Sequence, residues 1–201
     1  MSAGSILALG GLVALVAGLA LYERGRAGSR EIGLVAVLIA AASAGRVLFV
    51  AIPGAQPVTA IAIVAGVALG PRAGIAVGAG SALVSNAFLG QGPWTPWQML
   101  LWGLAGLAGG LLAPVLRRSR GALVVLGVVV SLAFGALMDV WQLAAFGPAL
   151  TPAAFVAVHV RAIPFDLAHA LATGIILARS EEHTSELQSH SDLVCRLLLE
   201  K

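Results

Sequence analysis

The apolar runs of this chain leave it one kind of architecture. A helix needs about 20 predominantly apolar residues to cross a hydrocarbon core. Runs of that length, or close to it, fall at residues 5–22, 32–52, 58–69, 73–89, 97–116, 121–143 and 160–178. Hydrophobic residues make up 59% of the chain and charged ones 10%, against roughly a quarter charged in soluble domains. The reading is an all-α polytopic membrane protein with seven candidate spans. The third has only 12 residues, between Pro57 and Pro71. It is either tilted and irregular or buried among its neighbours.

Orientation follows from arginine, because positive charge in short loops is retained on the cytoplasmic side. Arg24, Arg26 and Arg30 follow the first run, Arg72 the third, and Arg117, Arg118 and Arg120 the fifth. These are alternate loops, so they predict an N-terminus outside and residue 178 inside the plasma membrane. The connections "PGAQP", "GQGPWTP" and 144–159 carry no Arg or Lys and are expected to face outside. The first run is read as an uncleaved span, since its positive charges follow the apolar stretch and no A-x-A-like cleavage site is evident.

From Arg179 the character changes. "RSEEHTSELQSHSDLVCRLLLEK" holds 8 of the 21 charges, the only Cys and the only Lys. It resembles the conceptual translation of a sequencing-library adapter read through in frame, and such scars are excluded from fold reasoning. The alternative is a genuine amphipathic cytoplasmic helix, "SDLVCRLLLEK". The expected organisation is an additional N-terminal transmembrane helix with a basic cytoplasmic loop at 1–31, a core at 32–178, and a non-native tail at 179–201. Residues 1–178 carry nine Arg, four acidic residues and no Cys, for a formal charge of +5. That leaves no disulfide framework and no thiolate metal site.

Small residues recur four apart at Gly66 and Gly70, Gly74 and Gly78, and Gly106 and Gly110. In lipid, helices associate through close backbone approach, and these pairs are expected to pack the protein against itself. Ala36, Ala40 and Ala44 put a smooth stripe on the second run, which suits an external helical partner as well as an internal one.

Ionisable residues inside spans cost about 2.5–3.5 kcal/mol on insertion scales and are functional candidates by default. Arg46, Asp139, Asp166 and His169 fall within one or two helical turns of one depth in the outer half, and Ser85 and Asn86 reach the same layer. Arg46 pairing with Asp139 or Asp166 is the architectural alternative. It would leave His169, Asn86 and the second Asp unexplained, so the layer reads as the floor of a binding cavity. Asp166 and His169 share a helix face at i and i+3. No G-x-S-x-G, H-E-x-x-H or metal-ligand cluster accompanies them, which weighs against an intramembrane enzyme. A Walker A loop needs G-x-x-x-x-G-K followed by Ser or Thr, and the only Lys is Lys201. Any ATP must be bound by another subunit.

The blocks "AASAGRVLF", "IPGAQPVTAIAIVAGVALGPRAG", "SALVSNAFLGQGPWTPWQMLLWGLAGLAGGLLAP", "FGALMDVW" and "IPFDLAHAL" resemble the S component, the substrate-binding membrane subunit, of energy-coupling factor (ECF) vitamin transporters. The resemblance implies a six-helix bundle whose binding site lies near the outer face, with a cobalamin-like, flavin or other vitamin as substrate and no cofactor. It also implies a transmembrane T component bound to two cytosolic ATPases, contacted through an A-x-x-x-A face that falls here on Ala36, Ala40 and Ala44. Trp94, Trp97, Trp141 and Gln98 are expected as wall and lid of the site, with Gln91 in the lid loop. Arg46, Asn86, Asp139, Asp166 and His169 form the expected floor, and Gln56 and Thr59 enter from the first outer loop. The additional helix departs from the six-span plan. The remaining alternative is a structural or assembly membrane protein whose buried charges are only architectural.

Overall fold

In the computed structural model, the described residues are Val13, 28–147 and 151–199, with side chains to Ser180. The expected helix at 5–22, its basic loop at Arg24 and Arg26, and the side chains of the 181–201 tail lie outside them. The remainder is helical: α1 (Ser29–Leu48), α2 (Val58–Leu69), α3 (Pro71–Leu89), α4 (Thr95–Leu111), the short α5 (Ala113–Leu116), α6 (Arg120–Phe146) and α7 (Pro152–Leu199). No strand occurs among the described residues. The protein is an all-α polytopic membrane protein. Helix α1, helix α6 and the first 29 residues of α7 are long and apolar enough to cross a membrane.

The helices start and stop where the sequence removes or supplies backbone partners. Gly70, at φ +98°, separates α2 from α3 in a single residue, a conformation glycine reaches without a Cβ clash. Pro71 then opens α3 at its first position, where its missing N–H is no loss. Pro114 ends α4 early, at Leu111 rather than near residue 116, because a ring at that position obstructs the preceding turn. Helix α1 stops at Leu48, short of the expected residue 52, and residues 49–57 form a turn that leads into α2 at Val58. The guanidinium of Arg117 donates to the carbonyl of Val67 from Nε at 3.1 Å, satisfying an end carbonyl of α2 that has no helical partner.

The largest correction concerns the 144–159 connection. It is mostly helix, with α6 continuing to Phe146 and α7 beginning at Pro152. Thr151 caps α7, accepting from the Ala154 amide at 3.2 Å, and Pro152 follows at the first helical position. "TPAA" is therefore a helix start. At about 1.5 Å per residue, the 48 residues of α7 far exceed one bilayer crossing.

Glycines hold the centre together. A Cβ on Gly66 or Gly74 would strike the backbone of Gly106, one on Gly78 that of Trp102, and one on Gly110 that of Pro71. Gly66, Gly74, Gly78, Gly106 and Gly110 thus face inward and let α2, α3 and α4 touch backbone to backbone, whereas Gly70, expected to pack with them, is the open link between α2 and α3. Helix α2, bounded by Pro57 and Gly70, is largely buried. Around this centre the surface is apolar, with Val37, Leu48, Phe88, Leu111, Val125 and Leu171 exposed, as lipid contact requires. The turns at 49–57 and 90–94 and the ends of α6 and α7 at Phe146 and Pro152 share one end of the bundle.

Candidate functional site

Polar side chains gather beneath that end. Arg46, in the last turn of α1, donates from one terminal nitrogen to Ser85 Oγ at 2.7 Å and Asn86 Oδ1 at 2.6 Å, and its guanidinium lies 4.8 Å from the Trp102 ring centroid. No carboxylate pairs with it among the described residues, which corrects the Arg46–Asp alternative. Neutral acceptors and an aromatic face solvate the charge instead. Asn86 is buried and fully used, its amide nitrogen donating to Thr95 Oγ1 at 3.0 Å and Gln98 Oε1 at 2.8 Å. Thr95 donates to Gln91 Oε1 at 2.9 Å, and Gln91 Nε2 donates to the Leu83 carbonyl at 3.0 Å. The 90–94 loop is pinned to α3 through these bonds.

Trp102 carries the layer inward. Its indole nitrogen donates to Thr59 Oγ1 at 3.0 Å, Thr59 meets His169 Nε2 at 2.9 Å, and Phe134 stacks on Trp102 while meeting the His169 ring edge-on. One turn earlier on α7, Asp166 lies against α6 where Gly135 has no side chain to obstruct it. His159 Nδ1 is 2.8 Å from Asp139 Oδ2 and 3.8 Å from Asp166 Oδ2. The layer is thus continuous from α1 to α7, with Arg46 and the two aspartates at opposite ends rather than paired.

An open cavity of about 390 Å³ is lined by Trp94, Gln98, Met138, Trp141, Gln142 and Phe146, within the roughly 300–1,000 Å³ of small-molecule sites. Trp94 and Trp141 meet edge-to-face with centroids 6.4 Å apart. Trp141 is buried, yet its indole nitrogen has no partner. A smaller cavity of about 130 Å³, with Arg46 and Gln56 among its walls, lies under the 49–57 turn. There Gln56 Oε1 is buried without a partner.

Of the expected wall residues, Trp94, Gln98 and Trp141 come together. Trp97 does not line this cavity; its indole donates to the Leu137 carbonyl at 3.1 Å and ties α4 to α6. Gln91 is exposed and anchors its own loop. Arg46, Thr59, Asn86, Asp166 and His169 lie in the polar layer, and Asp139 meets it through His159. Ala36, Ala40 and Ala44 are all exposed on α1, uncovered by the described residues. The sequence reading missed His159, Trp102, Thr95 and Phe134. His159 stands seven residues before Asp166 and Trp102 four after Gln98, helical spacings that put each pair on one face.

Comparison with curated proteins and with solved structures gives no match. The family described as ECF-type riboflavin transporter, S component, matches residues 26–179. This span contains all the described helices through residue 179 and every side chain of the polar layer. With an apolar exterior, a buried polar layer and an aromatic cavity at one end, the chain belongs to the S-component family of ECF-type riboflavin transporters.

Proposed function

We propose that the chain captures riboflavin, or a closely similar planar heteroaromatic vitamin, from outside the cell for ATP-driven uptake by partner subunits. The observation that carries the reading is the cavity between α4 and α6. Trp94 and Trp141 offer aromatic faces, and Gln98 and Gln142 supply primary amides that match a ring edge bearing both donors and acceptors. The family match to riboflavin transporter S components supports the same substrate.

In this reading the turns at 49–57 and 90–94 face outward, as the arginine distribution predicts, and the C-terminal end of α7 is cytoplasmic. The Ala36, Ala40 and Ala44 stripe receives a transmembrane T component, which couples the bundle to two cytosolic ATPases. The exposure of all three alanines supports that surface. Reconstitution of the chain with a T component and paired ATPases in liposomes tests the proposal. It predicts ATP-dependent accumulation of riboflavin that stops when the S component is omitted, and accumulation indifferent to its omission would refute it.

A further inference from the structure

We propose that Asp139, His159 and Asp166 form a binding site for one divalent transition-metal ion, bridging α6 and α7. Their ligand atoms all lie within 4.8 Å of one another, with His159 Nδ1 facing both carboxylates at 2.8 and 3.8 Å. Donors around a tetrahedral zinc-like ion, at metal–ligand distances near 2.0–2.2 Å, stand about 3.4 Å apart. Closing the widest separation by up to about 1.4 Å brings the three into that arrangement.

A hydrogen-bonded His–Asp pair alone does not account for the cluster. Asp166 is only 9% exposed, and its Oδ2, the oxygen aimed at His159, is buried without a hydrogen-bond partner. A shared proton satisfies Asp139 and His159 but leaves that oxygen bare. No Arg or Lys among the described residues pairs with either carboxylate, since Arg46 is held by Ser85 and Asn86. Two carboxylates in an apolar bundle are costly as bare charges, and one divalent cation neutralises both. Two features build the site: Gly135 leaves room for the Asp166 carboxylate, and Phe155 stacks on His159 at 5.4 Å, fixing the ring's orientation. Three donors including an imidazole suit zinc, nickel or cobalt. Calcium takes six to eight oxygens.

The site stands on its own geometry and does not depend on which vitamin fills the neighbouring cavity. The test is equilibrium dialysis of Zn²⁺ and optical titration with Co²⁺, on full-length protein purified without a polyhistidine tag. One equivalent is expected, with a cobalt spectrum typical of nitrogen and oxygen ligation. Asp166→Asn and His159→Gln are each expected to weaken binding at least tenfold, while the double substitution His183→Ala and His190→Ala in the tail leaves it unchanged. Where a ligand variant fails to fold, thermal stabilisation by the metal that is present in the wild-type protein and absent from Asp139→Asn gives the same reading. Absence of binding by folded wild-type protein overturns the site. So does binding that survives the Asp166 and His159 substitutions or is lost with the tail histidines. Riboflavin binding measured on the same samples separates failure of the metal site from failure of the vitamin reading.

Discussion

At the scale of single residues, the polar layer separates groups that hold the fold from groups left free to act. Asn86 is the hub of the first kind, because it accepts from Arg46 and donates to Thr95 and Gln98. Asn86→Leu leaves Arg46 short of an acceptor and two partners short of a donor. Each unsatisfied buried group costs about 1–3 kcal/mol, so a large fall in thermal stability in detergent is expected, with Ser85→Ala much milder. Trp141 is of the second kind. Its ring lines the cavity while its indole nitrogen bonds nothing in the fold, so Trp141→Phe, which shrinks that wall, is expected to weaken riboflavin binding several-fold while stability, read by the same melt, changes little. Sequence reading identified Arg46, Asn86, Asp139, Asp166 and His169 because polar atoms are conspicuous in apolar runs. It could not tell that Arg46 would be solvated by neutral groups, since that choice depends on the depth and facing of three helices. His159 escaped notice because its segment was read as a loop.

At the scale of elements, the centre depends on bare backbone contact, whereas the rim depends on caps. Gly106 sits where a side chain would strike Gly74. Gly106→Val is therefore expected to separate α3 from α4, and overpacking of this kind costs typically 1–3 kcal/mol. Size-exclusion chromatography and thermal melts check this, and a monodisperse variant of unchanged stability would contradict the account. The alanine stripe of α1 behaves oppositely. It is exposed, so Ala40→Leu is expected to leave folding and ligand affinity intact while abolishing co-purification with a T component. The small-residue pattern was legible in the sequence, and the inward placement of Gly66, Gly74 and Gly106 agrees with it. Helix ends were less legible. Pro114 stopped α4 earlier than hydropathy suggested, and the Thr151 cap started α7 well before its apolar run, because hydropathy reports the span and not the cap.

At the scale of the whole molecule, an inverted polarity, apolar outside and polar within, is joined in the proposed function to capture at one end and coupling along one side. The all-α polytopic class could be read from the apolar runs alone, because their length and spacing admit little else. The cavity could not, since Trp94 and Trp141 are far apart in sequence and meet only when α4 and α6 pack. Orientation has its own check: with Cys195→Ser as background, Pro93→Cys, at an exposed position of the 90–94 loop, is expected to react with an impermeant thiol reagent added to intact cells and Ser119→Cys only after permeabilisation. The most direct test of the central claim is a riboflavin titration of the purified protein without ATP, read by quenching of tryptophan fluorescence. The account predicts saturable one-to-one binding that Trp94→Ala weakens at least tenfold. Folded protein that does not bind riboflavin, or binds it equally well without Trp94, would contradict it.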